Sequence, residues 1–341
     1  MLTTIKFAVI GCGRIGKRHA SMVKINNDSE LVALIDVDSA LEKGLKEEFN
    51  VPFFKTIEDF VKSGLKADVV NICTPNHLHA SQAIVALKNE SHVVVEKPMA
   101  LSKTDAEDVI HESLKVNKRV FCVMQNRYSP PSRWLKEVVE SGVLGEIYMA
   151  NINCFWNRDN DYYQGGAPTY WKGKLEKDGG TLFTQFSHFL DTMYWLFGDV
   201  SNISANFYDF NHQNTTEFED SGIVQFDFVK GGAGSINYST AVYGQNMESS
   251  LSIIGEKGSV KVGGQYMNEI VYCHIKNYKQ PVLEHTLPPN DYGKYKGSAA
   301  NHQFVIQNVV DTLQGNNSAT TNSLEGLKVV EIIENIYKLK K

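Results

Sequence analysis

The chain has 341 residues, 42% of them hydrophobic, and its 34 lysines and arginines against 39 aspartates and glutamates give a formal net charge of -5. This length is more typical of two domains, each with its own core, than of one. The basic residues are scattered along the chain, which argues against a surface that binds nucleic acid.

The sequence also lacks signals for a membrane or an oxidising compartment. The apolar run that begins at Ile5 is too short for a signal peptide, and no later run has transmembrane length. The cysteines are odd in number and form no C-x-x-C pair; they are Cys12, Cys73, Cys122, Cys154 and Cys273. We therefore expect a cytoplasmic protein with reduced thiols and no bound metal.

Short apolar runs alternate with helical patterns up to about residue 125. The runs that predict strands are residues 7–10, 31–36, 69–73, 93–95 and 120–124. This alternation is typical of a parallel sheet covered by helices. We predict an α/β protein whose residues 1–125 form a Rossmann domain, a doubly wound parallel sheet that binds a dinucleotide.

Longer β-like segments follow one helical stretch after Pro130. They cover residues 147–156, 203–210, 223–229 and 251–254, and glycine-rich turns join several of them. Helical patterns at residues 301–313 and 323–339 close the chain. We predict that residues 126–341 form an α+β domain with a large, mostly antiparallel open sheet, which binds substrate and supports oligomerisation.

The first predicted strand leads directly into Gly11-Cys12-Gly13-Arg14-Ile15-Gly16, and a helical pattern follows. In this order Gly11 permits a tight turn, Gly13 lets the backbone approach a pyrophosphate, and Gly16 lets helix and strand pack closely. The start of the helix offers unbonded N–H groups and a positive dipole end to the phosphates. We predict that this turn, including Arg14 and Ile15, binds a dinucleotide.

Asp36 ends the second predicted strand, about 20 residues after Gly16. A carboxylate at this position accepts hydrogen bonds from the adenine-ribose hydroxyls and repels a 2'-phosphate. We therefore expect the cofactor to be NAD rather than NADP, although the neighbouring charge of Arg14 weakens this preference.

Two further segments carry a family resemblance: residues 69–79, VVNICTPNHLH, and residues 93–102, VVVEKPMALS. Together with the glycine-rich turn they resemble the Gfo/Idh/MocA family of NAD(P)-dependent sugar and cyclitol oxidoreductases, and the resemblance covers nearly the whole chain. It implies a catalytic role for Lys97 at the reacting hydroxyl, and a cis peptide before Pro98. It also implies that Thr74, Asn76, His79, Glu96, Lys97 and Gln125 lie at the cofactor.

The residues support a catalytic Lys97 independently, because a lysine fixed at a strand end beside a cofactor can stabilise an alkoxide. An ordinary surface lysine in a turn is the alternative. His79 has an alternative as well, as a residue at the start of a helix without a ligand.

Residues 178–197 open with Gly179 and Gly180 and continue in a helical pattern. Spacings of three and four residues place Thr184, His188 and Asp191 near one another on a single helix. A histidine can take the hydroxyl proton, and the segment resembles the family's helix with its catalytic histidine, so His188 is predicted as the acid/base group. Asp191 is predicted to be structural.

Several segments are most similar to the branch of the family that oxidises UDP-N-acetylglucosaminuronate at its 3-hydroxyl. Arg158 and Lys172 are suitable cations for a carboxylate or a pyrophosphate, and Tyr163 or Trp171 can pack on a sugar or uracil ring. Thr184 and Gln185 complete the predicted substrate contacts, together with Lys97 and His188. The expected reaction moves a hydride between NAD and a secondary hydroxyl of a sugar or sugar nucleotide.

Two alternatives remain open at this point. One is a dehydrogenase of free sugars or inositol-type polyols, and the other is a non-catalytic NAD-binding regulator. The family resemblance also implies a homodimer or homotetramer formed across a sheet face.

Overall fold

The computed structural model describes residues 4–164, 171–291 and 293–340. The chain divides into two compact units. The first contains the residues up to Met124 together with His302–Val330, and the second contains Gln125–Asn301 and the residues from Glu331 onward. The first change of unit lies between Met124 and Gln125, one residue before the boundary expected from the sequence. The segment His302–Val330 belongs to the first unit again. A division of the sequence at one position cannot describe such an arrangement.

The strands are numbered in chain order. They are β1 (Ile5–Ile10), β2 (Ser29–Ile35), β3 (Phe53–Phe54), β4 (Val69–Ile72), β5 (His92–Val95), β6 (Val120–Cys122), β7 (Ile147–Phe155), β8 (Val200–Tyr208), β9 (Ser221–Phe228), β10 (Ala233–Ser239), β11 (Glu248–Gly255), β12 (Gly258–Gly263), β13 (Glu269–Ile275), β14 (Pro289–Asp291) and β15 (Lys296–Ala299).

The α-helices are numbered in the same way. They are α1 (Arg14–Ile25), α2 (Glu42–Phe49), α3 (Ile57–Lys62), α4 (His79–Lys88), α5 (Lys103–Lys115), α6 (Pro130–Glu140), α7 (Asn160–Gln164), α8 (Leu175–Asp178), α9 (Ser187–Phe197), α10 (His302–Leu313) and α11 (Ser323–Tyr337). None of the helices in the described part of the chain combines the length and apolarity that a bilayer crossing requires.

The first unit is built on a parallel six-stranded sheet with the order β3-β2-β1-β4-β5-β6. This is the doubly wound order, in which the direction of winding changes between β1 and β4. All four residues of β4 are buried, as expected for a strand covered by helices on both faces. The predicted Rossmann domain is therefore confirmed. The two-residue β3 was not predicted, because it is too short for an apolar pattern.

The second unit contains a seven-stranded sheet with the order β13-β12-β11-β7-β10-β9-β8. Neighbouring strands are antiparallel except for β7 and β10, which are parallel. Along β9 the side chains of Val224, Phe226 and Phe228 are buried, whereas Ile223 and Gln225 on the opposite face are exposed. One face of the sheet therefore carries the core, and the predicted large, mostly antiparallel open sheet is confirmed.

The predicted glycine turn at Gly179 and Gly180 is present, but the α-helix predicted to continue from it to about residue 197 is wrong in its first turn. Helix α8 ends at Asp178, and Gly179 and Gly180 follow with φ angles of 87° and 109°. The chain then forms a π-helical turn at Leu182–Phe186 before α9 begins. The positive φ angles stop the first helix, and periodicity alone does not reveal the wider turn. Such π turns are frequent at functional sites.

The close packing on the inner face of the seven-stranded sheet can be tested at Gly234. A Cβ atom built there would lie 2.2 Å from Cε2 of Phe226, whereas one built at exposed Gly44 in α2 meets nothing within 4 Å. We expect Gly234→Ala to lower the free energy of unfolding by about 1–3 kcal/mol through overpacking. Gly44→Ala should raise it by about 0.5–1 kcal/mol, because alanine has the higher helix propensity. Urea unfolding of both variants checks this, and equal stabilities would contradict it.

Candidate active site

The three glycines after β1 differ in what surrounds them. A Cβ atom at Gly11, whose φ is +85°, would lie 2.6 Å from the carbonyl carbon of Cys73, and one at Gly16 would lie 1.9 Å from the carbonyl oxygen of Gly11. At exposed Gly13 a Cβ would meet nothing within 4 Å. At positions 11 and 16 the surrounding backbone leaves no room for a side chain, so packing requires glycine there. At position 13 packing does not require it. The open space at Gly13 matches the predicted approach of a pyrophosphate to the backbone.

Helix α1 begins directly after Gly13, which as N-cap provides no side-chain hydrogen bond to the first turn. No side chain at the N-cap therefore competes with an anion for the first N–H groups of the helix. Arg14 is exposed at this end of the helix, and Ile15 is half-buried. The geometry agrees with a phosphate site at the N-terminus of α1.

Asp36, directly after β2, is bound to the glycine turn. Its Oδ2 accepts a hydrogen bond of 2.6 Å from the backbone N–H of Cys12, and its Oδ1 accepts one of 2.9 Å from Asp38. The carboxylate is thus held in place before any ligand binds, and a carboxylate has further lone pairs for ribose hydroxyls.

The segment from the end of β4 to the first residue of α4 carries three of the predicted cofactor residues. Thr74 donates a hydrogen bond of 2.6 Å to Oε1 of Gln82, and Asn76 is buried. The ring nitrogens of His79 lie 2.7 and 2.8 Å from the carbonyl oxygens of Pro98 and Thr74. Burial lowers the pKa of His79 despite these carbonyls. His79 thereby connects the loops that follow β4 and β5.

Lys97 follows β5 and is half-buried, and its peptide bond to Pro98 is cis. Its backbone N–H donates to Oε2 of Glu96 at 3.2 Å. The other oxygen of Glu96 lies 3.0 Å from Nε2 of His19 and 3.3 Å from Nε2 of His302. Neither histidine was predicted as a site residue from the sequence. His19 lies three residues after Gly16, a spacing that would have placed it on a buried side of α1, whereas no local signal marks His302.

In the second unit a 3-10 turn at Gln125–Tyr128 contacts α9, the helix that carries His188. Arg127 donates to both oxygens of Asp191, over 2.6 and 2.9 Å, and neither side chain is exposed. The guanidinium also lies 5.2 Å from the ring centroid of Trp195. This buried bidentate pair, one turn along the helix from His188, agrees with a structural role for Asp191.

The buried side chain of His188 belongs to the second residue of α9. Thr184 and Gln185 are also buried, and both belong to the π-helical turn that precedes α9. The predicted acid/base residue and two predicted substrate residues therefore share one short segment of the second unit, although that segment is not a continuous α-helix.

Arg158 forms the centre of a cluster of polar and aromatic side chains. Its Nε donates to Oε1 of Gln185 at 2.8 Å, and its other nitrogens donate to the carbonyl oxygens of Asn157 and Lys296 and to Oδ1 of Asn246. The guanidinium lies 4.8 Å from the ring centroid of Trp156 and 5.1 Å from that of Tyr162. Most of the donors of this buried cation are thus engaged by the protein itself.

The ammonium of half-buried Lys172 lies 3.9 Å from the ring centroid of Tyr162, whose hydroxyl accepts a hydrogen bond of 2.9 Å from Gln185. Burial alone would raise the pKa of Tyr162, but the charges of Lys172 and Arg158 outweigh it and lower this pKa. Tyr163 is buried with its ring edge-on to Tyr162. Trp171 is half-buried.

A buried pair of His212 and Asp220 contacts the backbone of Arg158. Nδ1 of His212 lies 3.0 Å from Oδ2 of Asp220, and its Nε2 lies 2.5 Å from the carbonyl oxygen of Arg158. Burial would favour the neutral ring, but the hydrogen bonds to these two acceptors outweigh it and raise the pKa of His212. Because both partners only accept, the geometry fits a doubly protonated imidazolium.

The comparisons with known proteins identify the family. The model of the oxidoreductase family with an NAD-binding Rossmann fold, GFO_IDH_MocA, matches residues 5–124, and the model of its C-terminal alpha/beta domain matches residues 136–340. The chain belongs to the Gfo/Idh/MocA family and is an NAD-binding oxidoreductase.

Among solved structures, the chain is similar to the WlbA dehydrogenase from Bordetella pertussis, crystallised with NADH and UDP-GlcNAcA. The two are 32% identical with a TM-score of 0.86, covering 98% of this chain and 96% of that one. The WlbA dehydrogenase from Chromobacterium violaceum, in complex with the same two molecules, is also 32% identical, with a TM-score of 0.87, covering 98% of this chain and 93% of that one.

Relatives with lower identity act on other sugars and polyols. The myo-inositol 2-dehydrogenase of Thermotoga maritima is 27% identical over 75% of this chain and 74% of its own length. The D-glucoside 3-dehydrogenase of Escherichia coli is 28% identical over 62% of this chain and 59% of its own length.

The different surroundings of the glycines lead to a prediction with a matched control. We expect Gly13→Ala to fold with unchanged stability and to weaken NAD binding by about tenfold or more, because its methyl group occupies space that the chain leaves open for the pyrophosphate. Gly16→Ala should instead lower the free energy of unfolding by about 1–3 kcal/mol, because the new methyl group overlaps backbone. Calorimetric titration with NAD and urea unfolding check both, and unchanged NAD affinity in Gly13→Ala would contradict the assignment.

The raised pKa of His212 predicts a pH-dependent contribution to stability. A charged imidazolium stabilises the fold fully below the ordinary pKa of about 6.5, and this contribution is lost as pH rises through the higher pKa of the folded state. The free energy of unfolding of the unmodified protein should exceed that of His212→Gln by about 1.5–3 kcal/mol near pH 6, as for hydrogen bonds to charged groups. The excess should shrink towards pH 9. A constant difference in urea unfolding across this range would contradict the predicted loss of the imidazolium charge.

Proposed function

We propose that this enzyme oxidises the 3-hydroxyl of a UDP-N-acetylhexosaminuronate with NAD. The observation that carries the proposal is the 32% identity, over 98% of the chain, to two dehydrogenases crystallised with NADH and UDP-GlcNAcA. The relatives that act on inositol or on a glucoside are 27% and 28% identical over smaller shares of the chain. The match to the sugar-nucleotide enzymes is therefore both closer and more complete.

The residues of the first unit fit NAD. The open backbone at Gly13 and the N-terminus of α1 suit a pyrophosphate, and the anchored carboxylate of Asp36 suits a ribose without a 2'-phosphate. Thr74, Asn76 and Gln125 are proposed to contact the nicotinamide half. NAD, when bound, supplies the acceptor for the hydride.

Lys97 and His188 are the proposed catalytic residues. Lys97 donates a hydrogen bond to the oxygen of the reacting hydroxyl and stabilises the negative charge that develops on it. His188 takes the hydroxyl proton. The carbon gives up its hydrogen with the bonding electron pair, and the oxygen retains its bond to carbon as a carbonyl.

Lys172 is the proposed contact for the anionic part of the substrate. Lys172 is half-buried, and its ammonium lies over the ring of Tyr162, so the residue is more exposed to an anionic ligand than buried Arg158 is. Arg158 is proposed to act indirectly, because most of its donors hold Gln185 and backbone carbonyls. Half-buried Trp171 suits contact with a sugar or uracil ring better than fully buried Tyr163 does.

A free sugar or an inositol is the second candidate substrate, favoured by the inositol dehydrogenase among the relatives. We also propose a cytoplasmic homodimer or homotetramer formed across the open face of the seven-stranded sheet. The apolar side chains of Met149, Ile223 and Ile254, on strands of this sheet, are exposed and support an interface at this face.

NADH formation at 340 nm tests the proposal, with NAD or NADP against UDP-sugars, UDP-sugar uronates, free aldoses and inositols. We expect turnover only with a UDP-uronate and NAD. Lys97→Met should lose turnover by about a thousandfold, within the range for electrostatic and acid–base groups, while binding NAD unchanged. Cofactor released from the denatured protein is assayed as well, so that NADH retained after one turnover is detected. Turnover of a free polyol alone would discard the proposed role of Lys172, and an active Lys97→Met would remove Lys97 from the mechanism.

A further inference from the structure

The carboxylate of Glu96 is buried beside Lys97 and receives hydrogen bonds from three different parts of the first unit. Nε2 of His19 on α1 lies 3.0 Å from its Oε1, and Nε2 of His302, the first residue of α10, lies 3.3 Å from the same atom. The Oε2 atom accepts the backbone N–H of Lys97 at 3.2 Å. Both oxygens of the carboxylate are thus used.

Both histidines are buried, and Asn71 fixes the ring of His19. The side chain of His19 is 1% exposed and that of His302 is 2% exposed. The amide nitrogen of Asn71 on β4 lies 3.1 Å from Nδ1 of His19, so the Nε2–H of that ring points to Glu96. The two rings meet edge to face with centroids 5.2 Å apart. The group of Glu96, His19, Asn71 and His302 is called the Glu96 cluster below.

A group of two histidines and one carboxylate also resembles a metal site. The contacts favour hydrogen bonds instead. Both Nε2 atoms lie at hydrogen-bond distance from one oxygen of Glu96, and the amide of Asn71 satisfies the other nitrogen of His19. The hydrogen bonds from His19 and His302 outweigh burial and hold the pKa of Glu96 well below its usual range, so it remains an anion.

Burial of a carboxylate opposes folding, because its charge is removed from water. Stability alone therefore does not explain Glu96, whereas its position next to the proposed catalytic lysine indicates a functional role. We propose that His19 and His302 are positioning residues for Lys97, acting through Glu96, whose second oxygen fixes the backbone of that lysine. The inference rests on the proposed function for the catalytic role of Lys97, but not for the positioning itself.

The position of His19 adds a connection to the cofactor end. His19 lies on α1, whose N-terminus is the proposed phosphate site, and Glu96 lies at the end of β5. The carboxylate of Glu96 therefore connects α1, the backbone of Lys97 and α10. The charged or titratable groups around it are His19 and Arg18 on α1, His302 on α10, Lys97, Cys73 after β4 and His79 on α4.

The test compares His302→Leu with His302→Gln in the full-length enzyme. Glutamine retains an N–H donor near the position of Nε2, and leucine retains only the bulk. We expect His302→Leu to lower kcat by about tenfold or more, with KM for NAD changed by less than about threefold, and to move the acid limb of the kcat profile to higher pH. His302→Gln should restore kcat to within about threefold of the unmodified enzyme and restore the profile.

A second readout does not depend on turnover. The rate of amidination of Lys97 in NAD-free protein, measured by peptide mass spectrometry relative to that of exposed Lys43, should change at least about threefold in His302→Leu and stay unchanged in His302→Gln. This measurement decides the positioning role even if no substrate of the panel is oxidised. If His302→Leu does not fold, the pair His19→Leu and His19→Gln gives the same comparison.

Three results would overturn the inference. The first is unchanged amidination of Lys97 in His302→Leu. The second is a His302→Gln variant as impaired as His302→Leu, which would show that the donor does not matter. The third is a stoichiometric divalent metal in the purified enzyme that is lost in His302→Gln, which would make the Glu96 cluster a metal site.

Discussion

The strands of the doubly wound sheet are covered on both faces, and this constraint determines where the first unit can do chemistry. A strand buried on both sides is built from apolar side chains, so polar groups collect where the strands end. Gly11 follows β1, Asp36 follows β2, Thr74 lies two residues after β4, and Glu96 follows β5. Because the strands are parallel, these ends lie along one edge of the sheet, and the carboxylates of Asp36 and Glu96 both belong to it. Asn71 within β4 is the informative exception, since its buried amide contacts His19.

In the second unit the corresponding constraint is the placement of buried cations. A buried guanidinium needs acceptors for its donors and a favourable surface for its faces, and it therefore fixes its neighbours. Arg127 fixes α9 through Asp191 and packs on Trp195, while Arg158 fixes Gln185 and packs on Trp156. These pairs hold the segment that carries His188 at two points. The second unit thus supplies a firmly held histidine, although that segment begins with a π-helical turn.

The sequence allowed the sheet of the first unit and its cofactor turn to be predicted, because both depend on local patterns. Apolar runs mark the strands, and the spacing of Gly11, Gly13 and Gly16 marks the turn. Features that depend on contacts distant in sequence were not predictable in this way. His302 reaches Glu96 only because α10 returns to the first unit and packs against α1, and no pattern near residue 302 indicates this. The π-helical turn at Leu182–Phe186 was missed because a helical period does not distinguish it from an α-helix.

The predicted substrate residues show why residue type alone is a weak guide to an anion site. Arginine matches a carboxylate better than lysine does, because its planar guanidinium binds in a bidentate way. Arg158 and Lys172 were nevertheless both candidates in the sequence, where burial is not visible. Burial separates them, because a cation deep in the protein must satisfy its donors internally and has few left for a ligand. Arg158 directs its donors to Gln185, Asn246 and backbone carbonyls, whereas Lys172 is only half-buried and rests on an aromatic face. In the proposed function an anionic sugar nucleotide therefore contacts the more accessible Lys172, while the buried Arg158 holds Gln185 and backbone carbonyls in place.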